Sequence, residues 1–365
     1  MKYNSLPRVA RIGAIALTVA LGMSACSASN ESNSGGSGGS SDLSGTLNGA
    51  GSTAQEAAMA AWKAGFQGAN TGTTVNYDAV GSGGGREQFV AGGILFAGSD
   101  DYLSDDELTQ AQKTCGGDPI EIPVYVSPIA VIYNLPDVSD LKLSPATLAQ
   151  IMAGTITSWD DAAIKADNPD ASLPSTKITP VHRSDESGTT GNFTDYLGQA
   201  ASSDWTYGSV ETWPVKGGEA ADGTSGVVSA VKGGEGTIGY ADASQAGDLG
   251  KALIGEGGDF VGPTADAASK VLDESTPVAG RAATDLAITV NRTPSGAGIY
   301  PIVLVSYQMY CSTYDASKAD LVKAFASYVI SADGQSAASS AAGSAPISDA
   351  IRQKAQAAID TISAK

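Results

Sequence analysis

Histidine is almost missing from this 365-residue chain: there is one, His182, together with three cysteines. That is too little material for a zinc site built from those ligands. A Ser-His-Asp hydrolase would have His182 as its only candidate base. Cations are also scarce. Lys and Arg number 21 against 39 Asp and Glu, a net charge of −18, and such a field repels phosphate backbones and argues against a nucleic-acid partner. Charged residues are 16% of the chain and aromatics 6%. The apolar run Ile12–Met23 is shorter than the ~20 residues that span a bilayer. What remains is 42% hydrophobic with 45 glycines, a loop-rich globular composition long enough for two domains of ~150 residues.

The N-terminus reads as a targeting segment. Lys2, Arg8 and Arg11 precede the apolar run, and small residues lead to Met23-Ser24-Ala25-Cys26. This resembles a bacterial lipobox, which makes 1–25 a lipoprotein signal peptide and Cys26 the lipidated first residue of the mature chain. The other reading is an ordinary secretory signal with a chance cysteine. Removing those three cations takes the net charge from −18 to −21. Two or three acyl chains hold a protein stably on a membrane, where one does not. Residues 26–43 are the lipidated Cys and a Ser/Gly/Asn tether, with a root-mean-square reach of roughly 23 Å. Export leaves Cys115 and Cys311 as an even pair outside the cytosol, which favours a disulfide over two buried thiols.

From Gly45 onward strands alternate with helices, which argues for α/β domains with largely parallel sheets. Strands are expected at Val75–Val80, Ile94–Ala97, Ile120–Tyr133, Ile178–Arg183, Thr237–Tyr240, Leu286–Asn291 and Tyr300–Tyr310. Helices are expected at Ala54–Phe66, Asp105–Lys113, Pro145–Ala153, Thr189–Gln199, Gly226–Lys232, Ala265–Leu272, Ser317–Ile330 and Ile347–Ile362. Ser104 with Glu107 makes a capping box, and Ser144 before Pro145 an N-cap. The apolar segments 120–133 and 300–310 exceed the usual ~5–6 residues of a strand. Two readings fit them: strands that cross between two domains, or central strands of one buried sheet.

Three stretches put Gly and a hydroxyl residue directly before a helix: Gly51-Ser52-Thr53, Gly81-Ser82-Gly83-Gly84-Gly85 and Ser187-Gly188-Thr189-Thr190. The first N–H groups of a helix lack intrahelical partners and carry the positive end of its dipole, so anions are favoured there. Singly, each is also an ordinary N-cap or turn. The third follows Arg183-Ser184-Asp185-Glu186, where a planar guanidinium suits a tetrahedral oxyanion and Asp185 can orient it. His182 alternates with Arg183 on the strand and points the other way. Asp100 in Gly98-Ser99-Asp100 ends a strand; a carboxylate beside an anion makes sense when the anion carries a proton to donate.

These stretches together resemble the phosphate-binding lipoprotein of the high-affinity phosphate-uptake ABC transporter, over residues 45–360. The family's Gly-(Ala/Ser)-Thr matches Gly51-Ser52-Thr53, its Gly-Ser-x-Gly-Gly matches Gly81 to Gly85, and its Ser-Asp after a strand matches Ser99-Asp100. Its Arg-x-Asp-x-Ser-Gly-Thr matches Arg183 to Thr189 in full. Ser158-Trp159-Asp160-Asp161 and Gly236-Thr237-Ile238-Gly239-Tyr240 also fit the family. Two positions depart from it: Asp101-Tyr102-Leu103 stands where the family often continues x-Pro-Leu, adding an acid near the site, and Ala54 replaces a frequent bulky residue. The resemblance implies a two-lobed periplasmic-binding-protein-like α/β fold of type II, with a two-strand hinge and the ligand between the lobes. Domain I would be 44–129 with 294–365, and domain II 130–293. The implied phosphate donors are Thr53, Ala54, Ser82, Arg183, Ser187, Gly188 and Thr189, with Asp100 accepting the ligand's proton and Asp185 orienting Arg183. No cofactor, metal or catalytic residue is implied. The implied partners are phosphate and the permease subunits of an ABC importer, for a monomer anchored on the outer face of the membrane.

A receptor for sulfate or molybdate is the alternative in the same class, and Asp100 discriminates, since those anions bring no proton near neutral pH. An exported phosphatase or hydrolase could use the same donors, but would need a nucleophile, a base and usually a metal.

Overall fold

The computed structural model describes residues 43–365. The signal peptide, Cys26 and all but the last residue of the tether lie outside the described residues. No helix among the described residues is long and apolar enough to cross a membrane.

The first lobe opens with strand β1 (Ser44–Gly51), helix α1 (Glu56–Ala69), β2 (Gly72–Ala79), α2 (Ser82–Val90), β3 (Phe96–Ser99) and α3 (Asp105–Cys115). The 14-residue strand β4 (Ile120–Tyr133) then leads into the second lobe. That lobe carries α4 (Pro145–Met152), α5 (Ala162–Asp167), β5 (Thr179–Arg183), α6 (Gly188–Ala200), β6 (Glu219–Ala221), α7 (Gly223–Gly233) and β7 (Thr237–Asp242). The chain returns through β8 (Val303–Tyr310) and ends in α8 (Ala316–Ile330), α9 (Ala332–Ala342) and α10 (Asp349–Asp360).

One sheet runs through both lobes in the order β2-β1-β3-β8-β4-β7-β5-β6, with Gly250–Lys251 adding to β4. Pairing is parallel within each lobe and antiparallel around the two crossing strands. Strand β4 changes partner partway along: Ile120–Pro128 pair with β8, and Ile129–Tyr133 with β7. Every residue of β4 and β8 is buried, as expected of strands covered on both faces. Of the two readings of the long apolar segments, central strands of one buried sheet is the one that describes what forms: β4 and β8 lie side by side in its middle. Trp62, Phe66 and Tyr125 and, further along the chain, Trp159, Phe193 and Tyr240 all belong to one continuous buried apolar core.

Local chemistry moves several boundaries. The first helix starts at Glu56 rather than Ala54 because the Ala54 and Gln55 N–H groups turn to the Ser52 hydroxyl, at 3.0 and 3.3 Å. The last long strand starts at Val303 rather than Tyr300, after Pro301, which has no N–H for a ladder. The expected strand Leu286–Asn291 shrinks to Ile288–Thr289, paired with Thr276–Pro277. The capping box of α3 and the Ser144 cap of α4 form as read. Strand β1 and helix α9 were not anticipated. The segment 281–288 reaches over to the first lobe: Thr284 O accepts from Glu121 N, Glu121 O from Leu286 N, and Leu103 O from the Arg281 guanidinium. Cys115 at the end of α3 and Cys311 just after β8 form a disulfide, with Cα atoms 5.1 Å apart.

Candidate functional site

The N-termini of α1, α2, α6 and α7 converge where the lobes face each other. Close approach makes this possible. Gly51 sits at φ 144°, and a Cβ there would lie 1.9 Å from Gly98 O, so the ends of β1 and β3 meet with only hydrogen between them. Gly81, at φ 88°, leaves space for Asp185 Oδ2, which a Cβ would approach to 2.6 Å.

Asp100 lies at the centre, 2% exposed. Its Oδ2 accepts from Ser52 Oγ at 2.6 Å and Thr189 Oγ1 at 3.2 Å, and its Oδ1 from Ser306 Oγ at 2.8 Å. Two of these hydroxyls are oriented from behind. Ser52 Oγ already accepts from the Ala54 N–H, and Ser306 Oγ from Gln55 Nε2 at 2.9 Å, so their protons turn to the carboxylate. Burial pushes the Asp100 carboxyl above its ordinary range, while the Ser52 and Ser306 bonds and the Arg183 charge act against that rise. The Asp100 N–H donates to Ser82 Oγ at 3.1 Å. Across the cleft, Asn192 Nδ2 donates to Asp100 O at 2.6 Å.

Arg183, 3% exposed, ends strand β5. Its Nε donates to Asp185 Oδ1 at 2.7 Å and its Nη2 to Asp185 Oδ2. Burial alone would raise the Asp185 carboxyl, but the bonds and charge of Arg183 hold it below its usual range, with the Gly223 N–H helping at 3.2 Å. His182 faces away and stacks on Trp213.

The first turn of α6 is buried from Gly188 to Asn192. Ser187 caps it, its Oγ accepting from Thr190 N at 3.2 Å. Thr53 meets the second lobe directly: its Oγ1 lies 2.9 Å from Thr224 Oγ1 and accepts from Thr224 N at 3.1 Å, and Gln245 Nε2 donates to Thr53 O at 2.9 Å. The lobes thus touch through both ends of the site.

The structure gathers Thr53, Ala54, Ser82, Asp100, Arg183, Asp185, Ser187, Gly188 and Thr189 at this one junction. The Ala54 N–H is engaged by Ser52, and the Ser187 hydroxyl by its own helix. Sequence reasoning missed Ser306, Asn192, Thr224 and the orienting role of Ser52. Gly223-Thr224 repeats the pattern of Gly and hydroxyl at a helix start, and that signal was available. Ser306 sits inside the apolar run Val303–Tyr310, where nothing marks it. Among the described residues no cluster of His, Cys, Asp and Glu could hold a metal ion.

A family model described as a PBP superfamily domain matches residues 36–333. The chain is 40% identical over 324 residues to phosphate-binding protein PstS 3 of Mycobacterium tuberculosis, covering 87% of this chain and 86% of that one. It is 35% identical over 328 residues to PstS 2 of the same organism, covering 87% of each. Among solved structures, a high-affinity periplasmic phosphate-binding protein bound with phosphate superposes with a TM-score of 0.72 at 24% identity, covering 86% of this chain and 93% of the other. A phosphate-bound substrate-binding protein of Clostridium perfringens, described as a phosphate ABC transporter component, superposes at 0.61 with 18% identity, covering 83% of this chain and 100% of the other.

Proposed function

This chain belongs to the PBP superfamily and to its phosphate-binding PstS proteins, and from that premise we propose that it binds inorganic phosphate outside the membrane and delivers it to an ABC importer. The observation that carries the reading is Asp100: a buried carboxylate ringed by oriented hydroxyls, among helix N-termini and beside a buried arginine. Phosphate near neutral pH carries one or two protons and can donate one to that carboxylate, while its other oxygens take N–H groups, hydroxyls and the Arg183 guanidinium. The donors in those roles are Thr53, Ser82, Arg183, Ser187, Gly188 and Thr189; Ala54 drops out because its N–H already donates to Ser52 Oγ at 3.0 Å. Arg183 Nη1 has no hydrogen-bond partner among the described residues, which leaves it for an anion. A mature chain at −21 can still hold an anion, because its bulk field is screened beyond ~8–10 Å while dipoles act at contact.

In this reading the site binds and does not catalyse. The lobes are 44–129 with 294–365 and 130–293, the stretch 281–288 of the second strapping over the first. Donors on both lobes reach one ligand only when the lobes meet, so phosphate draws them together and release to permease subunits requires them to part. Cys26 carries the lipid that keeps the monomer on the outer face of the membrane, near that permease.

Competition calorimetry with phosphate and sulfate tests the reading on residues 44–365. Sulfate brings no proton, so a buried acceptor faces its oxygen unpaired at a cost of several kcal/mol, and sulfate should bind at least about 100-fold more weakly. Comparable binding of the two anions removes Asp100 from the ligand and, with it, the case for phosphate.

A further inference from the structure

A second buried cation spans the lobes away from the ligand. Arg86 lies on α2, the helix whose first residue is Ser82, and is 3% exposed. Within its own lobe it donates from Nε to Glu107 Oε1 at 2.8 Å and from Nη1 to Ser99 Oγ at 2.9 Å. Towards the second lobe it grips Glu211 with both terminal nitrogens: Nη1 to Oε1 at 3.1 Å, and Nη2 to Oε2. Although burial works against its charge, Glu211 and Glu107 keep Arg86 firmly protonated. Glu211 is tied in turn to the ligand loop, since its backbone carbonyl accepts from Ser187 N at 3.1 Å. One guanidinium therefore connects the loop at Ser82 to the loop at Ser187, which lie on opposite lobes.

Beside this pair stands Asp101, the extra acid at the unspecified position of the family's Ser-Asp-x-Pro-Leu. A Cβ on Gly191 would lie 3.0 Å from Glu211 Cγ and 3.3 Å from Asp101 Oδ2, so the two carboxylates flank a residue with no side chain to separate them. Resting on the phosphate reading above, we propose that Arg86 is a positioning residue that latches the lobes shut through Glu211, and that Asp101 makes this latch proton-sensitive. Burial pushes the Asp101 carboxyl up to about 7, Glu211 adds to the rise, and Arg86, the Tyr102 N–H and Arg292 oppose it. The other charged or titratable groups around Asp101 and the latch are Asp100 and Tyr102 on its own loop, Asp195 on α6, Glu107 on α3, Tyr307 on β8 and Glu186, whose Oε1 lies 4.0 Å from Arg86 Nη2. When the lobes part, Asp101 regains water and titrates near the ordinary carboxylate range.

The sign follows. Closure raises the proton affinity of Asp101, so closure is favoured at low pH, weakens as pH climbs from about 4 to about 7, and is constant above that. Phosphate affinity of residues 44–365 should fall about tenfold more for the unmutated protein than for Asp101→Asn between pH 5.5 and 7.5. The ligand's own ionisation is common to both and cancels. Asn keeps the acceptor for the Tyr102 N–H at 2.9 Å, so the variant changes charge and little else. Arg86→Lys should restore part of the affinity that Arg86→Ala loses, and Glu211→Gln should flatten the pH profile. Parallel profiles for the unmutated protein and Asp101→Asn, with phosphate bound by both, overturn the latch. If the unmutated protein binds no phosphate at any pH, the ligand reading fails instead, and small-angle scattering without ligand decides the latch. A radius of gyration that grows from pH 5.5 to 7.5 in the unmutated protein alone supports it, and no growth in either overturns it.

Discussion

Arg183 and Arg86 each lie 3% exposed, on facing lobes, and each is held by carboxylates. What separates them is how much of the fork is occupied. Arg86 spends Nε, Nη1 and Nη2 on Glu107, Ser99 and Glu211. Arg183 gives Nε and Nη2 to the single partner Asp185, leaving one nitrogen unengaged among the described residues. A buried guanidinium with all three nitrogens engaged by protein groups joins protein to protein. One with a donor to spare, fixed in orientation by a single acid, can also meet a ligand.

The sharpest way to break that comparison is Arg183→Ala. It removes the cation next to the ligand and leaves Asp185 buried without its partner, a change worth ~2–5 kcal/mol, or roughly 30- to several-thousand-fold in phosphate affinity by calorimetry. The ligand-free radius of gyration should not move. Next in size, Asp100→Asn should narrow the preference for phosphate over sulfate from at least about 100-fold to within about tenfold. A preference that survives the substitution intact would mean that another group reads the ligand's proton. Arg86→Ala should weaken phosphate by about tenfold and enlarge the ligand-free radius, the reverse of the Arg183 pattern. Identical signatures for the two arginines would erase the distinction drawn between them. Smallest is Ser187→Ala, which removes a neutral cap bond worth ~0.5–1.5 kcal/mol. A loss as large as that of Arg183→Ala would show that dipoles, not the formal charge, dominate.

The contrast also explains which residues could be read in advance. Arg183, Asp185 and Ser187–Thr189 lie within seven positions, so their chemistry is written in one local pattern and the strand-to-helix turn assembles it. Arg86 and Glu211 are 125 positions apart, and neither carries a mark of the other, because the lobes' approach alone joins them. Asp101 was visible only as an extra acid at the unspecified position of the resembled family's Ser-Asp-x-Pro-Leu. The long strands could be read as buried, since unbroken Val, Ile and Tyr runs need apolar cover on both faces. Their change of partner at Ile129 could not, because it depends on where β7 and β8 end rather than on β4 itself. Ser306 shows the cost of that limit: on a strand that is buried throughout, alternation disappears and a hydroxyl that bonds Asp100 looks like one more core residue.

The crossing strands set an order of events for the chain as it is made. Strand β8, residues 303–310, lies between β3 and β4, so the first lobe's sheet has a gap until more than 160 residues beyond β4 have been delivered. The second lobe's strands β5, β6 and β7 follow one another between residues 179 and 242 and need nothing from the C-terminus. Because non-local pairings must close long loops before they are rewarded, the half synthesised first is completed last. Until β8 arrives, β3 and β4 present open, unpaired sheet edges, the kind of surface that templates aggregation. That interval, rather than the finished molecule, is when the chain has most to lose by meeting another copy of itself.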